Sequence, residues 1–220
     1  MTVYDKALAG GWVQHHGCYS IYKENFGDTC QAYDNGAIRL LSVVYHQHDN
    51  LEVYPNHITV EFRNGEVYAW KTKYIDSYNM TQFGIAVSVD GRYVFAQTWE
   101  NGLFCFDART GERIWRTKSR RGITDIFVND STIVCQQHDH AMLLLDIHTG
   151  DVLIEKRPCT AWGFTALDRH AILCQVTARM WELIDPKTLT VIRSFPHKDF
   201  KGKHPESCIK QIYFKEKNDN

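Results

Sequence analysis

Nowhere in this 220-residue chain do 18 consecutive apolar residues occur, and Met1 to Gly11 lacks an apolar core of the length an export signal needs. The expectation is a chain without membrane span or secretion signal, resident in the cytoplasm. Proline is scarce, with five residues beside 14 glycines, so collagen-like and low-complexity architectures are excluded. Net charge is nearly absent too: 25 Lys and Arg against 26 Asp and Glu leave −1, and no global field draws nucleic acid or an anionic membrane. Cys18, Cys30, Cys105, Cys135, Cys159, Cys174 and Cys208 form an odd set without a C-x-x-C pair, which suits neither a disulfide scaffold nor a zinc ribbon. Cys105, Cys135 and Cys174 sit inside apolar runs and read as small buried hydrophobes rather than nucleophiles. Also missing are G-x-S-x-G, a Walker loop, H-E-x-x-H and a dinucleotide fingerprint, so no motif nominates an enzyme class.

What is present is a repeat. Asp107-Ala108-Arg109-Thr110-Gly111 returns as Asp146-Ile147-His148-Thr149-Gly150 and, altered, as Asp185-Pro186-Lys187-Thr188-Leu189, at a spacing of 39 each time. Phe95-Ala96-Gln97, Val134-Cys135-Gln136 and Leu173-Cys174-Gln175 keep the same 39-residue interval. Within each unit the apolar and β-branched residues come in runs of a strand's length, separated by turn residues such as Asp90-Gly91, Asn101-Gly102 and Thr110-Gly111. The spacing predicts four strands per unit: 83–89, 93–98, 103–108 and 113–118, then 123–128, 132–137, 141–147 and 151–156, then 160–166, 171–176, 180–184 and 190–195.

A lone four-stranded sheet cannot bury both faces and must stack on its neighbours, so a period of about 40 residues points to a β-propeller blade. The segment Asp107-x-x-Thr110-Gly111-x-x-x-Trp115 resembles the repeat of PQQ-like propeller blades, which are similar in shape to WD40 blades. Only the first unit carries the whole motif; Ile154 stands where Trp115 does, and Leu189 stands where Gly111 and Gly150 do. The resemblance implies blade geometry and no chemistry, and no quinone cofactor is expected from it.

The fold class expected is all-β, a single short propeller of four to five four-stranded antiparallel blades over residues 1–220, most regular over 83–196. The N-terminal 1–75 is irregular, with strands at 12–16, 19–23, 38–46, 57–62 and 66–71. A last strand at 209–214, within a closing segment 208–215, would complete a sheet begun near the N-terminus and shut the ring as a monomer; an open arc would instead expose a face and predict a homodimer or a partner that completes it. Trp70, Trp99, Trp115, Trp162 and Trp181 read as packing between blades, with a binding rim as the alternative for each.

Candidate sites are few. His46-Gln47-His48 and His138-Asp139-His140 each follow the second strand of a unit, and two imidazoles two residues apart suit zinc if further ligands converge. Imidazoles there would also make a contact pH-dependent. Trp99, Asp139, Arg120 and Arg121 are candidate partner-binding residues on the rim. Lys118-Ser119-Arg120-Arg121 with Lys73, Lys156 and Arg157 has no interleaved aromatics, so nucleic acid is not expected. The leading function is a non-catalytic scaffold that binds a protein partner, of which an immunity-like or regulatory protein is one version. The alternatives are a metal-assisted hydrolase or lyase with its site in the propeller channel, and a binder of small ligands or glycans between blades.

Overall fold

The computed structural model describes residues 13–15, 18–22, 29–34, 38–44, 56–62, 64–72, 85–98, 102–117, 122–156 and 163–218. Among these, eighteen strands fall into four antiparallel sheets, each a meander in which every strand pairs with the next. The first sheet has six strands: β1 (Val13–His15), β2 (Cys18–Tyr22), β3 (Thr29–Asp34), β4 (Ile38–Val44), β5 (Asn56–Phe62) and β6 (Val67–Thr72). Blade I comprises β7 (Ile85–Val87), β8 (Tyr93–Thr98), β9 (Gly102–Asp107) and β10 (Arg113–Arg116). Blade II holds β11 (Ile123–Val128), β12 (Thr132–Gln137), β13 (Met142–Asp146) and β14 (Val152–Lys156). Blade III holds β15 (Thr165–Asp168), β16 (Ala171–Thr177), β17 (Met180–Ile184) and β18 (Val191–Pro196).

Successive side chains of a strand point to opposite faces, and in the middle strands both faces are buried. In β12, Ile133 and Cys135 join the core toward blade I, while Val134 joins the core toward blade III. In β13, Leu143 and Leu145 face blade I, and Met142 and Leu144 face blade III. That double burial is why these strands read as unbroken apolar runs rather than alternating ones. At about 1.5–3 kcal/mol per large side chain withdrawn from water, the joints between sheets hold the stack together. The thiols follow the expectation: Cys105, Cys135 and Cys174 are buried in these joints, and burial pushes the Cys135 thiol up to about 12.

The recurrent turn is rebuilt three times. Asp107 Oδ1 accepts the amides of Arg109 and Thr110, each at 2.9 Å; Asp146 Oδ1 accepts those of His148 at 2.8 Å and Thr149 at 2.9 Å; Asp185 Oδ1 accepts that of Lys187 at 2.8 Å. The fifth residue closes the turn onto the Asp carbonyl in each case, with N···O 2.9 Å for Gly111, 2.9 Å for Gly150 and 2.8 Å for Leu189. It does so in the left-handed region, at φ 71° in both glycines and 54° in Leu189. Each turn links the third and fourth strands of its blade, as the repeat requires.

A β-bulge recurs just beyond. The pairing of β10 with β9 skips Ile114, that of β14 with β13 skips Leu153, and that of β18 with β17 skips Ile192. These three residues, again 39 apart, are all exposed because the bulge leaves them outside the ladder.

One expectation is overturned. Residues 209–214 form no closing strand; they lie within a helix, α1 (Pro205–Asn218). Cys208, Ile209, Ile212 and Tyr213 recur at the three- and four-residue spacing of a helix face and pack on blade III, a period that the apolar composition of Ile209 to Phe214 disguises. The first sheet also contains β3 (Thr29–Asp34), a strand that the reading of apolar runs does not predict.

Candidate interaction rim

In a four-stranded meander the first and third turns share one end of the sheet, and the second turn shares the other with the connection to the next blade. The end bearing the Asp turns carries many bonds within the protein, with Arg109, Thr110, His148, Thr149, Lys187 and Thr188 exposed on it. Ala108 N donates to Arg92 O at 2.9 Å in blade I, and Ile147 N to Ser131 O at 3.1 Å in blade II. Between sheets, the indole of Trp70 donates to Ala108 O at 3.1 Å and that of Trp115 to Ile147 O at 3.0 Å. Tyr93 Oη pairs with His148 Nδ1 at 3.1 Å, and Asn129 Nδ2 donates to Pro186 O at 3.0 Å.

The indoles also explain the turn glycines. A Cβ on Gly111 would stand 2.4 Å from Trp70, and one on Gly150 2.6 Å from Trp115, so each tryptophan lies flat on the glycine of the following blade. At the next joint both positions of the repeat differ: Ile154, 37% exposed, stands at the indole's position, and Leu189, 2% exposed and part of the joint's core, stands at the glycine's.

The opposite end carries the second turns. In blade II this is His138-Asp139-His140, with His140 at φ 68°, its amide 2.9 Å from Gln137 O, and the His138 amide 2.9 Å from Gly122 O. Asp139 Oδ1 accepts the Ala141 amide at 3.4 Å, closing the turn over itself. All three are half-buried. In blade III the same place holds Thr177-Ala178-Arg179, which is exposed. His46, His48, Trp99, Arg120 and Arg121 lie outside the described residues, as do Lys73, Arg157 and Trp162. Among the described residues no three His, Cys, Asp or Glu side chains converge as a metal would require. Trp70 and Trp115 are buried between sheets and Trp181 is half-buried against α1, in line with the packing role expected of them.

Sequence reasoning missed Asp125, in the first strand of blade II. Its Oδ2 accepts the Phe164 amide at 3.2 Å and its Oδ1 the Ile126 amide at 3.0 Å. Burial pushes this carboxyl up to about 7, against the pull of those two amides. The charged residue within the apolar run Ile123–Val128 is the signal that could have found it. At Asp107 burial also pushes upward, but the amides of Thr110 and Arg109 outweigh it and hold the carboxyl below its ordinary value.

Residues 57–194, well over half of the chain, match the family described as outer membrane protein assembly factor BamB. The chain belongs to this PQQ-like propeller family. Its BamB-like blades also appear in solved structures. The crystal structure of BamB from Moraxella catarrhalis is 14% identical, with TM-score 0.49 over 70% of this chain and 50% of that one. A chain of the mitotic checkpoint complex is 10% identical, with TM-score 0.52 over 71% of this chain and 46% of that one, and shows the propeller fold. The computationally designed Ika8 protein is 15% identical, with TM-score 0.46 over 80% of this chain and 60% of that one. The chain thus spans about half the length of the BamB chain it matches. No curated protein matches it.

Proposed function

We propose that this PQQ-like propeller is a protein-interaction scaffold whose partner docks on the rim of second turns. The observation that supports it most is the contrast between the two rims. The turns on one side are near-copies of each other and repeat the same bonds. At equivalent positions of the 39-residue repeat the sequence has Trp99-Glu100-Asn101, His138-Asp139-His140 and Thr177-Ala178-Arg179, which share no residue, and the last two are the second turns of blades II and III. Constant blades carrying unlike turns are what a specific binding surface needs, because a rigid frame lowers the entropic cost of presenting distinct side chains. Arg120 and Arg121 lie in the sequence between the last strand of blade I and the first of blade II, and we propose that they add positive charge to this rim.

We place the scaffold in the cytoplasm on the strength of its cysteines; Cys105, Cys135, Cys174 and Cys208 are all free thiols. Among the described residues no helix is long and apolar enough to cross a membrane. Cell fractionation tests the placement: recovery with the envelope fraction would move it.

The test of the function is affinity capture with the partner identified by mass spectrometry, repeated with two variants. Arg120→Glu with Asp139→Lys reverses charge on the proposed rim, and Arg109→Glu reverses charge on the opposite one. Loss of the captured protein with the first variant only, at unchanged thermal midpoint, is the expected result. Equal loss with both would remove the rim from consideration.

A further inference from the structure

The joints that hold the described residues together are made of different material. Those between sheets have apolar cores to which both partners contribute buried side chains. The fourth joint sets α1 on blade III, and of the 14 residues of α1 only Pro205 and Ile209 are buried. Ile209 joins a core with Leu173, Leu183, Phe195 and Phe200, and Cys208, Ile212 and Tyr213 are half-buried at its margin. A free helix of this length is marginal in water, so α1 depends on what its attachment supplies.

Much of that attachment runs through carboxylates. At the end of β15, Asp168 accepts Tyr213 Oη at 3.0 Å and the His170 amide at 2.7 Å, and it pairs with Lys217. At the start of β15, Thr165 Oγ1 donates to Glu206 at 3.0 Å, and Glu206 pairs with Lys210 one turn along the helix at 2.7 Å. On β18 the Arg193 guanidinium meets the Glu216 carboxylate at 2.9 and 3.2 Å. Both ends of the helix are tied in this way. Burial pushes Asp168 upward, but Lys217, the His170 amide and Tyr213 outweigh it; burial pushes Glu206 upward, but Lys210 and Thr165 outweigh it. Both carboxyls are therefore held below their ordinary values. The other charged groups at this joint are His204, which acts on Glu206 in the same sense, Arg169 beside His170, and the exposed His197, Lys198 and Asp199 of the short 3-10 helix (His197–Phe200) before α1.

A carboxyl whose folded-state value lies below its unfolded one adds stability above the unfolded value and loses it as pH falls through the folded one. For Asp168 and Glu206 the loss lies below the ordinary 3.8 and 4.5. Asp125, between blades II and III, is shifted the other way, so acid takes nothing from that contact. Asp90, Asp107 and Asp146 are lowered like Asp168, but each ties a turn to its own blade rather than one element to another. Elements held by few buried contacts open as contiguous units below the free energy of global unfolding.

We propose that α1 is a detachable strap: protonating its carboxylate clamp releases it from blade III as one unit, with the blades still folded. The test is amide exchange of the full chain from pH 7 to pH 3, corrected for intrinsic rates, alongside the variant carrying Asp168→Asn and Glu206→Gln. In the wild type, protection over residues 205–218 should fall in acid by on the order of tenfold or more, the worth of one hydrogen bond to a charged group, while β12 and β13 keep theirs. In the variant the same segment should be released already at pH 7, with β12 and β13 protected as in the wild type. Wild-type α1 that keeps its protection at pH 3 would overturn the proposal. The variant decides even where acid opens the wild-type blades as well: at pH 7, α1 as protected as in the wild type, or lost together with β12 and β13, would overturn it too.

Discussion

The joint between blades I and II and the joint between blades II and III are built on the same ruler and locked differently. The first is aromatic: Tyr93, Phe95 and Trp115 enter its core, and the Trp115 indole lies on Gly150 while donating to Ile147 O. The second is aliphatic and polar. Leu189 occupies the turn position, Lys156 Nζ donates to its carbonyl at 3.0 Å, Asn129 reaches Pro186 O, and Asp125 holds the Phe164 amide. Blade I has Ala86 where Asp125 stands, so the first joint has no counterpart of that carboxyl. A repeat can therefore lose its signature residues in pairs and keep its geometry, provided the replacement partners still fill the space and bond the turn.

The largest effect expected from breaking this contrast is at Trp115. Trp115→Ala removes a buried indole and its bond to Ile147 O, and should cost about 3–5 kcal/mol in urea denaturation. The change at Ile154, which is 37% exposed, should cost far less. Equal costs at the two positions would mean the indole is ordinary filling.

Next comes the glycine under it. Gly150→Ala combines a left-handed backbone with a Cβ driven into the Trp115 ring, and a loss of about 2–3 kcal/mol is expected. Gly65, at φ 87° with open space around it, is the control: its alanine variant has only the backbone term, about 1 kcal/mol.

The second joint should be the pH-sensitive one. Asp125 has a folded-state value raised to about 7 from 3.8, so the folded protein holds its proton more tightly than the unfolded chain does. Its contribution is fully present below about 3.8 and is lost as pH rises through 7. Asp125→Asn should therefore gain on the wild type between pH 5 and pH 8. The gain is about 1–2 kcal/mol, discounted from about 1.4 kcal/mol per unit for residual solvent at a half-buried group. Amide exchange resolves where the loss occurs: blade III should loosen with rising pH while the Trp115 joint keeps its protection. A pH-independent difference between variant and wild type would contradict the assignment.

The smallest effect is at Leu189, where two terms oppose. Leu189→Gly relieves about 1–2 kcal/mol of left-handed strain and gives up about 1.5–3 kcal/mol of burial, leaving a net loss of about 1 kcal/mol in the thermal or urea midpoint. The same exchange run backwards at Gly150 is far costlier while the indole is in place.

How much of this is legible in the sequence depends on whether the signal is local. Tyr93–Thr98, Ile123–Val128, Thr132–Gln137 and Met180–Ile184 coincide with the predicted strands to the residue, because each is an apolar run bounded by turn residues. β3, Thr-Cys-Gln-Ala-Tyr-Asp, has no such apolar run; its signal is the alternation of polarity between Gly27-Asp28 and Asn35-Gly36, which a search for apolar runs passes over. The helix reads as a strand because Ile209, Ile212, Tyr213 and Phe214 crowd together in sequence, and only their three- and four-residue spacing separates one reading from the other. The departures at Ile154 and Leu189 are written in the sequence as two irregularities; that Leu189 is buried in the joint while Ile154 stays exposed is a tertiary fact. The same holds for Asp125, whose partner amide lies 39 residues away.

The most direct test of the claim that indole and glycine form one lock is a double-mutant cycle converting the first joint to the chemistry of the second, with Trp115→Ile, Gly150→Leu and both together. If the pair is one contact, the double variant should be more stable than the sum of the single losses predicts by at least about 1 kcal/mol. Additive losses, within about 0.5 kcal/mol, would show that Trp115 and Gly150 act separately and would contradict it.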